Sequence, residues 1–115
     1  MKTLTDILLE ETKEYRVYFD NYLRYLKIIK EEVKKILKDA EVFIFGSILK
    51  GKFNPASDID VLIVSKSLDP SKKSLVKSLL YKKIGFFSPF EFHLASDEEY
   101  DKWYKNFIKE NIKEI

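Results

Sequence analysis

Phe45-Gly46-Ser47-Ile48-Leu49-Lys50-Gly51-Lys52-Phe53-Asn54-Pro55-Ala56-Ser57-Asp58-Ile59-Asp60-Val61-Leu62-Ile63-Val64 joins an apolar run, a glycine turn, a polar loop and a second apolar run opened by two carboxylates. Ten residues lie between Ser47 and Asp58. Strand residues at i and i+2 point to one face, so the pattern predicts that Asp58 and Asp60 converge while Ile59, Val61 and Ile63 turn to the other side. Two carboxylates at one strand end make a hard oxygen site suited to Mg2+. Gly46 lets the backbone pass where a Cβ would obstruct, and Ser47 offers a hydroxyl and a backbone N–H. The stretch therefore suits a metal-bound phosphate ligand.

The flanking elements place this stretch in a sheet. Glu41 to Phe45 is short, β-branched and aromatic, which predicts a strand ended by Gly46. Ser57 to Ser65 is the second predicted strand. Before them, no Gly or Pro interrupts Leu4 to Asp39, and apolar residues recur at helical spacing in two stripes. One contains Leu8, Tyr15, Tyr22, Ile29 and Ile36; the other contains Phe19, Leu26, Val33 and Ala40. A single helix of about 35 residues would be about 50 Å long, so a break is expected near Asp20-Asn21. Thr3 and Asp6 suit a capping box at its start. The dense aromatic stretch Tyr15, Tyr18, Phe19, Tyr22 and Tyr25 is expected to pack on the sheet or to serve as a protein interface, where Tyr is favoured.

Downstream, Asp69-Pro70 reads as an N-cap with Pro at the first helical position, opening a helix to about Lys82. Phe90-Glu91-Phe92-His93-Leu94 alternates, which puts Glu91 and His93 on one face of a third strand. Ser96 and Glu99 form a second capping-box pattern before a last helix with Tyr100, Trp103, Tyr104, Phe107 and Ile108 on its apolar side. The order helix, strand, strand, helix, strand, helix is that of an α+β domain with a small mixed sheet. A single domain over 1–115 is expected, with a helical N-terminal segment 1–39, a motif-bearing core 41–95 and a C-terminal helix 97–111.

Composition narrows the chemistry. Twenty-one basic and 19 acidic residues give a net charge of +2, too balanced for the basic footprint of a nucleic-acid binder. With no cysteine and only His93, thiolate ligands, a Cys nucleophile and multi-histidine zinc sites are excluded. No apolar run approaches the ~20 residues that span a bilayer, and the start lacks a signal-peptide core, so a cytoplasmic location is expected.

Nucleotidyl transfer asks a protein mainly to position a triphosphate and neutralise charge. Asp58 and Asp60 would hold the metal, and Glu91, acidic on the polar face of an otherwise apolar strand, is the candidate third acid. Gly46, Ser47, Lys50, Gly51 and Ser57 are candidate phosphate-binding residues, with Lys50 or Lys52 as the cation. His93 is read as a structural histidine, and Trp103 and Tyr104 as core residues.

Gly46-Ser47, ten residues, then Asp58-Ile59-Asp60 resembles the signature of the minimal nucleotidyltransferases of the DNA polymerase β superfamily. The resemblance covers about Glu41 to Leu94. It implies a small mixed sheet with helices packed on one side, one or two Mg2+ ions on Asp58, Asp60 and the third acid, and ATP as donor. Asp is usual at the third position, where Glu91 stands here. Members of this size resemble the antitoxin half of a toxin-antitoxin pair that transfers AMP to an all-helical HEPN partner. The resemblance therefore implies a protein acceptor, with the aromatic N-terminal helix as its dock or as a homo-oligomer seam. The alternative is a catalytically weak binding module that neutralises its partner by contact.

Overall fold

Asn21 breaks the N-terminal helical segment into α1 (Leu4–Asp20) and α2 (Tyr22–Ile36) in the computed structural model, which describes residues 1–50, 58–86, 88–108 and 111–115. The Asn21 amide side chain donates to the Val17 carbonyl at 2.8 Å, so a backbone acceptor near the end of α1 is satisfied locally. Thr3 starts α1 with a full capping box, its side chain accepting from the Asp6 N–H while Asp6 accepts from Thr3.

The second heptad stripe is the buried one. Phe19, Leu26, Val33 and Ala40 are all buried, joined by Ile29 from the first stripe. Tyr18, Tyr22 and Tyr25 pack at the margin of the same core, with the Tyr18 and Tyr25 rings 4.7 Å apart and Tyr18 edge-on to Phe90. The aromatic stretch thus faces the sheet. What α1 exposes is aliphatic: Leu4, Ile7, Leu8 and Leu9 are 72, 42, 53 and 56% accessible.

The sheet has four strands in the order β3-β2-β1-β4. β1 (Glu41–Phe45) and β2 (Ile59–Val64) are antiparallel, and β2 pairs in parallel with β3 (Phe90–Ala95) across the helix α3 (Pro70–Ile84). Parallel neighbours need such a crossover. One face, carrying Val42, Ile44, Ile59, Val61, Ile63, Phe90 and Phe92, is covered by α1, α2 and α3. The opposite face is smaller, with Leu62, Val64 and Ala95 beneath Phe43, Phe45, Tyr100, Tyr104 and Ile112.

The predicted C-terminal helix 97–111 is helical as far as Ile108, residues 109–110 lie outside the described residues, and a strand not anticipated from the sequence follows. Helical backbone runs in three stretches, α over Asp97–Glu99, π over Tyr100–Tyr104 and α over Lys105–Ile108. Ile112–Glu114 then forms β4, pairing antiparallel with β1. The strand is short and charged, and β1 supplies its only structural reason by offering an open edge. The Ser96–Glu99 capping box opens the segment as predicted.

Polar contacts fasten the turns. Asp69 caps α3 by accepting from the Lys72 N–H, with Pro70 at the first position. Gly85 ends α3 at φ +116°, and a Cβ there would lie 2.8 Å from the Tyr18 hydroxyl, which donates to the Ile84 carbonyl. Asp39 accepts from the Ser65 hydroxyl and the Lys66 N–H, both at 2.7 Å, and so ties the end of α2 to the exit of β2.

These contacts predict a pH dependence. Hydrogen bonds from the Ser65 hydroxyl and then the Lys66 N–H hold the Asp39 carboxyl below its ordinary value. The Lys73 side chain and then the Ser96 N–H do the same for Glu99. A depressed folded pKa contributes stability that is present above the unfolded values, 3.8 for Asp and 4.5 for Glu, and is lost as pH falls through the folded ones. The urea midpoint should therefore stay level from neutral pH down to about 5 and fall below about 4. Asp39→Asn should lower the neutral-pH midpoint and flatten that fall; an identical acid profile in the variant removes Asp39 from this account.

Candidate active site

β2 and β3 put their polar residues on the less covered face. Register pairs Asp60 with Glu91 and Leu62 with His93, and β1 sets Phe45 opposite Asp60. Because alternate residues share a face, Asp60 on β2 lies beside both Glu91 and His93 on β3. One donor atom from each of the three lies within 4.8 Å of the others.

His93 Nε2 stands 3.2 Å from Asp60 Oδ1 and 4.0 Å from Glu91 Oε1. An ionised carboxylate only accepts, so in this arrangement His93 Nε2–H donates to Asp60. The imidazole is held in place by two aromatic rings, Phe45 at 5.1 Å and Tyr104 edge-on at 6.2 Å. Tyr104 comes from the π-helical stretch, whose wider turn is a frequent feature near functional sites. Asp60 and His93 side chains are about one quarter accessible, and Glu91 about one half.

Gly46 closes the other side. It begins a 3₁₀ helix, Gly46–Lys50, at φ +84°, and a Cβ built there would lie 2.9 Å from Asp60 Oδ2. Both the backbone angle and the space require glycine. Gly46→Ala should cost about 1–2 kcal/mol from the left-handed backbone alone and push the Asp60 carboxylate out of place. A thermal melt measures the first effect and divalent-metal titration the second. Unchanged metal affinity would show that Gly46 does not shape the site.

The other sequence candidates are placed less closely. Asp58 precedes β2 by one residue, is exposed, and stands outside the Asp60, Glu91 and His93 group. Its charge still reaches the neighbourhood: burial chiefly raises the Tyr81 phenol, opposed by the Phe92 N–H, and the Glu91 and Asp58 carboxylates add to the rise. Ser47 is exposed in the 3₁₀ helix. Gly51, Lys52 and Ser57 lie outside the described residues, as do the side chains of Lys50, Trp103, Phe107 and Ile108.

A cleft of 290 Å³ opens beside Glu91 and His93, lined also by Lys73, Ser74 and Lys77 of α3 and by Tyr104. Lys73 is engaged with Glu99 at 2.9 Å, while Lys77 makes no ion pair among the described residues. Lys73 and Lys77 were not among the residues expected at the site, and His93 was expected to be structural. Alternation along β3 had already put His93 on the face of Glu91, and that was the available signal.

The family model for a nucleotidyltransferase domain matches residues 26–115. The chain belongs to the nucleotidyltransferase domain family. It is similar to the crystal structure of a candidate nucleotidyltransferase at 40% identity, over 77% of this chain and 95% of that one, with a TM-score of 0.65. A second crystal structure, of a candidate nucleotidyltransferase from Sulfolobus solfataricus, shares the fold at a TM-score of 0.58 and 23% identity, over 90% of this chain and 85% of that one. A search of curated proteins gives no match. The matched region of this nucleotidyltransferase contains every strand among the described residues and the whole Asp60, Glu91 and His93 group, and it leaves all of α1 and the first residues of α2 outside. Nucleotidyl transfer is the general reaction of the family, and the donor set suits the divalent metal such chemistry uses. No helix among the described residues is long and apolar enough to cross a membrane.

Proposed function

We propose that this nucleotidyltransferase moves AMP from ATP to an acceptor outside the chain, with Mg2+ as the metal. The observation that carries the reading is the pairing of Asp60 with Glu91 on adjacent strands, against the glycine that follows β1. The residues fit the ion: two carboxylates converge, and the missing Cβ of Gly46 leaves Asp60 Oδ2 room to turn. When bound, one or two Mg2+ ions would neutralise triphosphate charge and activate the attacking hydroxyl. Asp60 and Glu91 would hold the metal, with Asp58 joining from the strand entry. Gly46 and Ser47 admit the phosphates, and Lys77 offers the cleft a cation for them.

A protein acceptor is favoured, an all-helical partner of the HEPN kind, with this chain as the antitoxin. Residues before 26 lie outside the family match, and there α1 exposes Leu4, Ile7, Leu8 and Leu9. Exposed apolar side chains close together in sequence suit a protein contact better than a small acceptor. The same surface is the candidate seam for a homo-oligomer.

Labelled ATP, Mg2+ and the product of a neighbouring gene provide the direct test. Label should pass to the partner, and Asp58→Ala combined with Asp60→Ala should abolish it. Equal labelling by wild type and the double variant refutes catalysis at this site. The second reading, neutralisation by contact alone, is favoured by Asp58 standing apart from the other donors. It predicts that the double variant still co-purifies with the partner and protects cells.

A further inference from the structure

We propose that His93 is itself a metal ligand, completing a one-nitrogen, two-oxygen set with Asp60 and Glu91. The site would thereby favour a transition-metal divalent ion such as Mn2+ or Co2+ over Mg2+. This deepens the reading of the site given above and rests on it. Two carboxylates alone are a hard oxygen set, indifferent to such a change, whereas an imidazole shifts preference toward the transition series.

The geometry supports direct ligation. Ligand atoms ~2.1 Å from one ion stand about 2.9–3.4 Å from each other. His93 Nε2 is 3.2 Å from Asp60 Oδ1, already inside that range. Glu91 Oε1, at 4.0 Å, is the most exposed of the three and has the freedom to close the remainder. Phe45 and Tyr104 flank the imidazole, and its Nε2 faces Asp60, so only a small turn of the ring is needed. A neutral imidazole ligates through its unprotonated nitrogen, so the bound form carries its one ring proton on Nδ1. Glu91 adds a further reason: its carboxylate brings negative charge to the nitrogen side of the group, which stabilises a cation placed between them.

The chain makes the test clean. His93 is the only histidine and there is no cysteine, so in untagged protein a histidine-nitrogen signature has a single source. Pulsed EPR of bound Mn2+ should show a directly coordinated nitrogen. That coupling should change on selective 15N-histidine labelling and vanish in His93→Gln. Calorimetry should show Mn2+ affinity falling about tenfold in His93→Gln, with Mg2+ affinity moving less than about twofold.

Mn2+ that binds one to one, is lost in Asp60→Asn, and shows no histidine coupling would overturn this inference while leaving the metal site intact. Absence of any Asp60-dependent Mn2+ binding would overturn the site and the inference together. The labelling arm uses the wild-type protein, so its outcome stands even if His93→Gln fails to fold.

Discussion

Asp60→Asn should lower nucleotidyl transfer by about a thousandfold, equivalent to ~4 kcal/mol of transition-state stabilisation. Three contacts converge on this one carboxylate: His93 on Oδ1, the Cβ-free wall of Gly46 on Oδ2, and Glu91 across the strand pair. Asparagine keeps the shape and can still bond to His93, but it removes the negative charge that a metal needs. The fold should survive, because Asp60 sits on the less covered face and is one quarter accessible. The measurement is a steady-state rate with labelled donor, beside a thermal melt. A variant within tenfold of wild type would show that the chemistry lies elsewhere.

The second large effect concerns stability. Phe92→Ala should remove about 3–5 kcal/mol, which in a domain of this size lowers the melting temperature by about 15–30 °C. Phe92 lies between Glu91 and His93 in sequence but turns its ring to the opposite face. There it is 2% accessible, edge-on to Tyr81 at 5.0 Å and stacked with Phe90 at 6.4 Å. Truncation would leave a cavity beneath the strand that carries two of the three donor residues. Metal affinity should therefore fall along with stability, and a melt shifted by less than about 5 °C would contradict this packing account.

Much of the architecture was legible because its causes are local. The strand Glu41–Phe45, the break at Asn21, both capping boxes and the Asp69-Pro70 start follow from residues within one turn of each other. β4 was not legible: Ile112-Lys113-Glu114 has no strand character of its own and is ordered by pairing with β1, some 70 residues away. The site divides the same way. Spacing singled out Gly46 and Asp60, which the structure brings together, and alternation put Glu91 and His93 on one face. The placement of His93 beside Asp60 depends on the register of β2 against β3, which no stretch of either strand encodes alone. Asp58 was expected to join Asp60; it precedes the first residue of β2 and stands outside the Asp60, Glu91 and His93 group.

The parallel pairing of β2 with β3 also has a kinetic meaning. Asp60 and His93 are 33 residues apart, and the crossover that joins their strands contains α3. Pairings of that range close late, because the loop entropy is spent before the contacts repay it. During synthesis, a chain that has not yet released β3 carries the loop motif without a competent donor set. Metal capture in this nucleotidyltransferase would then report the pairing of β2 with β3, and a chain stopped before β3 could not hold the ion.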